Sequence, residues 1–170
     1  MNAEQLRAAQ APLKEAYRVQ PQAAQWTLRA RGALHSEQLT VKLETGLGKV
    51  EAGLHPATGG DGNFACSGDM LLEALVACAG VTLLAVATSM GIAMRGGSVS
   101  AEGNLDFRGT LGVDKGAPVG FKDIRLRFDL DTDANPGQLA TLLKLTERYC
   151  VIYQTLKNPP AVSVSCRSAA

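Results

Sequence analysis

Aromatic side chains make up only 5% of the 170 residues, tryptophan occurs once, and there are two histidines and four cysteines. With no Cys/His cluster and no C-x-x-C pair, the ligand spacing of a structural zinc site is missing. No basic run occurs and the formal net charge is +1, which excludes a nucleic-acid face built on charge. The opening MNAEQLRAAQ lacks the apolar core of a secretion signal, so the expected compartment is the cytoplasm. In that reducing setting four cysteines point to reactive, metal-binding or buried thiols rather than to a disulfide framework. The GGDG at 59–62 lacks the Lys-Ser/Thr of a phosphate-binding loop and the spacing of a dinucleotide fingerprint, and reads as a turn. His35, in a predicted turn, and His55, at the head of the glycine-rich loop, read as ordinary exposed side chains. No repeat or low-complexity segment divides the chain.

What the sequence does have is one long apolar run. Between Met70 and Met90 the only charge is Glu73, and a helix apolar on every side has to be covered by something. Ser67 is placed to cap its start, Asp69 suits the positive end of its dipole, and Gly91 supplies a stop. The run matches the roughly 20 apolar residues of a membrane span. Glu73, Thr82, Thr88 and Ser89 within it, and the absence of a second span, favour a central helix enclosed by sheets. Cys78 lies on this helix, with Leu71, Ala74, Leu75, Val81, Thr82 and Ala85 at spacings of three, four and seven.

The other elements follow from periodicity. Glu4 to Arg18 has helical spacing, with Pro12 expected to break the helix or begin its second part; residues 1–22 read as an N-terminal helical arm and 23–170 as the main domain. Gln25 to Leu34 and Gln38 to Glu44 alternate as two strands joined by a short turn, and Lys49 to Leu54 is a weaker third. Ser98 to Phe107 and Phe121 to Asp131 read as strands, the second with Ile124, Leu126, Phe128 and Leu130 alternating with charges. Asn135, Pro136 and Gln138 announce a capped helix carrying the stripe Leu139, Leu142, Leu143, Thr146 and Cys150. A further helical piece runs from Val151 to Leu156, and Ala161 to Cys166 reads as a last strand. The fold class is α+β with mainly antiparallel sheets.

Chemistry must come from single residues, and the cysteines are the candidates. A cysteine on an apolar helix reads first as a small core residue. Cys150 stands at a junction of two helical pieces beside Arg148, where a helix N-terminus and a cation would favour a thiolate; Cys66, just before the central helix, is placed comparably. Cys166 lies near the end of the chain.

Around two of these thiols, LLEALVACAGVTLLAVATSMGI followed by ERYCVIYQTLKNPPAVSV resembles the osmotically inducible protein C and organic hydroperoxide resistance (OsmC/Ohr) family from about Trp26 onward. The resemblance implies an OsmC-like fold in which two chains intertwine as a homodimer, with the central helices back to back inside two antiparallel sheets. It also implies a thiol peroxidase with no bound cofactor. In that reading Cys78 attacks an organic hydroperoxide, its sulfenic acid condenses with Cys150, and a dithiol donor, in related proteins a dihydrolipoyl group on a carrier protein, restores both thiols. Peroxidases of the family also use an arginine and a glutamate. The position of that glutamate is Gly68 here, leaving Asp69 or Glu73 as the nearest carboxylates; for the arginine the candidates are Arg31 and Arg29, with Arg31 preferred. The alternative within the same fold is a non-catalytic dimer or small-molecule binder whose cysteines are core residues.

Overall fold

The computed structural model describes residues 2–25, 31–35, 40–45, 48–112 and 114–167. Helix α1 (Ala3–Val19) is followed by a short 3₁₀ turn and by strands β1 (Arg31–His35), β2 (Thr40–Thr45), β3 (Gly48–Gly53) and β4 (Ala65–Cys66). Then come α2 (Ser67–Met90), β5 (Met94–Asn104), the single turn α3 (Phe107–Thr110), β6 (Asp123–Thr132), α4 (Pro136–Tyr149) and α5 (Val151–Lys157). The sheets are β1-β2-β3-β4 and β5-β6, antiparallel except for the β3–β4 pair.

Several ends depart from the sequence reading for local reasons. Helix α1 continues through Pro12; the proline is exposed, so water can satisfy the carbonyl it leaves without a donor. It starts with a capping box of Asn2 and Gln5 that the periodicity did not register. Helix α2 begins one residue earlier than expected: Cys66 is its N-cap and Ser67 is already helical, with no side-chain cap. Parallel pairing of β4 with β3 holds Cys66 extended, which sets the boundary. Gly91 ends α2 in the left-handed conformation, φ 69°, as its lack of a Cβ allows. Strand β5 starts at Met94 rather than Ser98, through a bulge between Met94 and Gly96 that hides the strand under Gly96 and Gly97. Residues 26–30, within the first expected strand, lie outside the described residues.

Strand β6 alternates as its sequence requires. Ile124, Leu126, Phe128 and Leu130 are half-buried, while Arg125, Arg127, Asp129 and Asp131 are exposed. The outer face carries ion pairs of Arg95 with Asp131 and Asp133, Arg125 with Asp123, and Arg127 with Asp129. Exposed pairs of this kind contribute little stability. The stabilising contacts lie on the other side, where Leu83, Val86, Ala87, Ile92 and Leu142 form a core flanked by Phe128 and Leu130.

Helix α4 starts at the expected cap: Asn135 Oδ1 accepts from the Gln138 N–H, and Gln138 Oε1 from the Asn135 N–H, each at 2.9 Å. Its stripe reaches α2 through Leu142, Thr146 and Cys150, all buried. Leu142 is fully enclosed between the helices, so Leu142→Ala is expected to lower unfolding free energy by about 2–5 kcal/mol in a urea titration, the range for a buried leucine that leaves a cavity.

Helix α2 is not covered on every side within one chain. Leu75, Ala79, Leu83, Val86 and Ala87 are buried, but Ala74, Ala77, Val81 and Leu84 are exposed, Val81 at 71% and Leu84 at 53%. Among the described residues it is the one helix long and apolar enough, by length and composition, to cross a membrane. The expected last strand, Ala161 to Cys166, has no strand pairing: it is exposed, with Val162 at 85% and Val164 at 93%. Among the described residues it joins neither sheet.

Candidate functional site

The site is a thiol pair at the crossing of α2 with the α4–α5 junction. Cys150 is both the C-cap of α4 and the N-cap of α5, and the capped, amphipathic α4 carries it inward on the stripe that packs against α2. Cys78 occupies the line on α2 between the covered and uncovered faces, with Thr82 and Ala85 on the same line, all three half-buried. The two thiols are free and near enough to perturb each other's ionisation.

Their environments push them apart chemically. Burial raises the Cys78 thiol, but the Ile152 N–H, the Cys150 thiol, the Val151 N–H and the Thr82 hydroxyl all favour its anion and hold it below the ordinary thiol value. Cys150 is raised: burial is the largest cause, and the neighbouring Cys78 adds to it both through the shared hydrogen bond and through charge, against lowering by the Tyr153 and Ile152 N–H groups. The expected help to Cys150 from Arg148 is not what the geometry provides, and the help it receives from the start of α5, through the Tyr153 and Ile152 N–H groups, is outweighed by burial. The Arg148 guanidinium lies over the Tyr149 ring at 5.6 Å, and first-turn N–H groups of α5 serve Cys78. The pair therefore has one acidic thiol, suited to nucleophilic attack, and one that stays protonated.

A cavity of about 610 Å³ is lined by Leu75, less than one turn before Cys78, and by Phe121, Ile124, Leu126, Phe128, Leu143, Tyr153 and Leu156; neither thiol is among its walls. Glu147, Lys157 and Asp123 stand among these apolar walls. The Tyr153 hydroxyl donates to Glu147 at 3.2 Å, and the Lys157 ammonium lies 5.5 Å from the Tyr153 ring centre. Such a space fits an organic group better than water alone.

The other expected site residues are not gathered here. Glu73 is exposed, and its place five residues before Cys78 turns it about 140° around the helix from the thiol. Asp69 is exposed too and about 180° away. The expectation that one of them sits beside the reactive sulfur is corrected by that rotation, which turns both carboxylates away from Cys78 on α2. At Gly68 a side chain would meet Phe121 at 3.5 Å, the Cys66 sulfur at 3.6 Å and Leu105 at 3.9 Å. Arg31 opens β1, opposite Glu44 in the strand register; its side chain, and Arg29 altogether, lie outside the described residues. His55 has a structural task, stacking on Phe107 at 4.9 Å and accepting the Ala57 N–H at Nδ1. Cys66 is half-buried and Cys166 exposed. Among the described residues, no three His, Cys, Asp or Glu side chains cluster as metal ligands. The residue that periodicity placed near Cys78 without assigning it a task is Thr82; its position one turn on, at i+4, was the available signal.

Comparison with known proteins agrees with this architecture. Among solved structures, an OsmC-like protein from Mycoplasma pneumoniae is 16% identical, with 79% of this chain and 89% of that one covered and a TM-score of 0.64. An organic hydroperoxide resistance protein OsmC from Legionella pneumophila is 20% identical, covering 79% and 92%, with a TM-score of 0.61. An organic hydroperoxide resistance protein from Elizabethkingia anophelis is 16% identical, covering 80% and 91%, with a TM-score of 0.56. No curated protein matches. The model of the family described as OsmC-like protein matches residues 60–165, which takes in α2 with Cys78, both strands of the second sheet and the helix junction with Cys150. With more than half of its length matched, and with the fold and the thiol pair in that matched part, the chain belongs to the OsmC-like protein family.

Proposed function

We propose that this chain is a thiol-dependent peroxidase that reduces organic hydroperoxides in the cytoplasm as a stress defence. The observation that carries the reading is the meeting of Cys78 and Cys150 with their thiol acidities shifted in opposite directions. The Cys78 thiolate attacks the terminal peroxide oxygen: an S–O bond forms, the O–O bond breaks, and the alkoxide leaves to take a proton as the alcohol. The Cys150 thiol then attacks the sulfenic sulfur, giving the Cys78–Cys150 disulfide and water. An external dithiol, of the dihydrolipoyl class, returns two electrons by thiol–disulfide exchange and becomes a disulfide itself.

The environment of Cys150 makes the order of these steps intelligible. While Cys78 is a thiolate, its charge holds the Cys150 proton on. Conversion of Cys78 to a neutral sulfenic acid removes that charge, so Cys150 becomes more acidic when its attack is needed. The apolar cavity supports an organic rather than an inorganic peroxide. The same cavity favours the second reading, a small-molecule binder with inert thiols.

Mass spectrometry after one equivalent of cumene hydroperoxide separates the two. The peroxidase is expected to yield a Cys78–Cys150 cross-link that a dithiol reverses; recovery of both free thiols, with the peroxide unconsumed, would leave the binder.

A further inference from the structure

We infer that Gln154 and Tyr153 are positioning residues: from α5 both reach back to Glu147 of α4, and together they hold open the break between the two helices at which Cys150 sits. The consequence for turnover rests on the peroxidase reading; the contacts themselves do not. A helix that ran on unbroken through Cys150 would give the Val151 N–H to the Glu147 carbonyl, four residues back. Here Cys150, with ψ 110°, turns the chain out of the helical path. Its N–H still donates to the Thr146 carbonyl at 2.9 Å, closing α4, and its carbonyl accepts from the Gln154 N–H at 3.0 Å, opening α5.

Such a break leaves carbonyls at the end of one helix and N–H groups at the start of the next without helical partners. Gln154 meets the need at Glu147, its Nε2 donating to the Glu147 carbonyl at 2.7 Å. The amide is itself aimed. A glutamine amide can face either way, and here Oε1 accepts from Asn158 Nδ2 at 3.1 Å, which turns Nε2 toward Glu147. The N–H groups that the break frees, those of Val151 and Ile152, serve Cys78.

Glu147 is held a second time through its side chain, whose carboxylate accepts from the Tyr153 hydroxyl at 3.2 Å. One residue of α4, three positions before Cys150, is thus tied by backbone and by side chain to two consecutive residues of α5, three and four positions after it. Bonds that straddle the break in this way fix the angle between the helices. That angle lets α4 and α5 both pack on α2, the helix that carries Cys78. The part of Gln154 and Tyr153 is to set the position of Cys150, not to react.

The test is the equilibrium of the Cys78–Cys150 disulfide in glutathione buffers, read on the cysteine peptides of the full-length protein by mass spectrometry. Oxidised glutathione takes two electrons from the thiol pair and leaves as two molecules of reduced glutathione, so no peroxide is needed. Gln154→Met keeps the side-chain length and removes the donor. A looser junction lowers the effective concentration of one thiol at the other, and the equilibrium is expected to move toward the dithiol by about three- to tenfold, as the loss of one hydrogen bond allows. Tyr153→Phe is expected to move it the same way by about two- to fivefold. Gln154→Lys, which keeps an N–H donor on a chain of similar reach, is expected to stay within about twofold of the parent. An unchanged equilibrium in Gln154→Met, a lysine variant shifted as far as the methionine one, or a parent in which glutathione closes no Cys78–Cys150 disulfide would overturn the inference. Hydroperoxide consumption measured in parallel separates the two readings. A parent that forms the disulfide, with Gln154→Met shifted as expected, but that consumes no peroxide sinks the peroxidase and leaves the clamp; an active parent whose equilibrium is indifferent to Gln154→Met sinks the clamp alone.

Discussion

In Cys78→Ser, hydroperoxide consumption is expected to fall by about 10³-fold or more, because Cys78 is the one described thiol held below the ordinary thiol value. A serine hydroxyl keeps the shape but is not ionised near neutral pH, and the N–H groups of Val151 and Ile152 then have no anion to hold. Cys150→Ser is expected to behave differently. Its first turnover, read by stopped flow with tert-butyl hydroperoxide, stays within a few-fold of the parent. Later turnovers stop, and Cys78 proceeds to the sulfinic or sulfonic acid under excess peroxide. The sign of the pH dependence follows from the direction of the shift. The Cys78 thiol is held below its ordinary value, so the first-turnover rate climbs as pH rises and levels off before the range in which an unperturbed thiol ionises. A rate that keeps rising through that range, or a Cys78→Ser variant as active as the parent, would remove Cys78 from the role of nucleophile.

The second large effect concerns assembly. The face of α2 formed by Ala74, Ala77, Val81 and Leu84 is apolar and uncovered, and an exposed apolar stripe next to the reactive thiol calls for a partner surface. A second copy is the proposed occupant, its own α2 laid against this one; the small residues Ala74 and Ala77 let two helices approach closely. The extended segment with Val162 and Val164 has an alternating sequence and pairs with no described strand of its own chain, which suits exchange onto the sheet of a partner. The parent protein is expected to sediment as a homodimer at micromolar concentration. Val81→Glu combined with Leu84→Glu is expected to abolish the dimer and lower the thermal midpoint, since four buried unpaired carboxylates in each helix pair cannot be accommodated. A parent sedimenting at the mass of a single chain would overturn the arrangement.

Much of the fold was legible in the sequence because it rests on short-range rules. The 3.6-residue stripe from Leu142 through Thr146 to Cys150, the Asn135 capping box, the Gly91 stop and the two-residue alternation of β6 each depend on neighbours a few positions apart, and each appears where those rules put it. The local rules failed where a distant contact decided the outcome. Pairing of β4 with β3 moved the start of α2 onto Cys66; pairing with β6 pulled Gly96 and Gly97 into β5 through a bulge; and Ala161 to Cys166, for all its alternation, joins no described strand.

The site divides in the same way. By itself the sequence determined that Cys78 lies on an apolar helix and that Cys150 ends the apolar stripe of another, so that both face inward. Which thiol is acidic was decided by the tertiary structure alone. Acidity depends on donors reaching a sulfur across space, and the first-turn N–H groups of α5 point at Cys78 only because α5 docks on α2. From periodicity and neighbouring charge, apart from the family resemblance, Cys78 read as the bland thiol and Cys150, beside Arg148, as the activated one; packing reverses them by turning Arg148 onto Tyr149 and burying Cys150. Periodicity along one helix cannot report such a reversal, because the groups that set the charge on Cys78 belong to a different helix and come from a distant part of the chain.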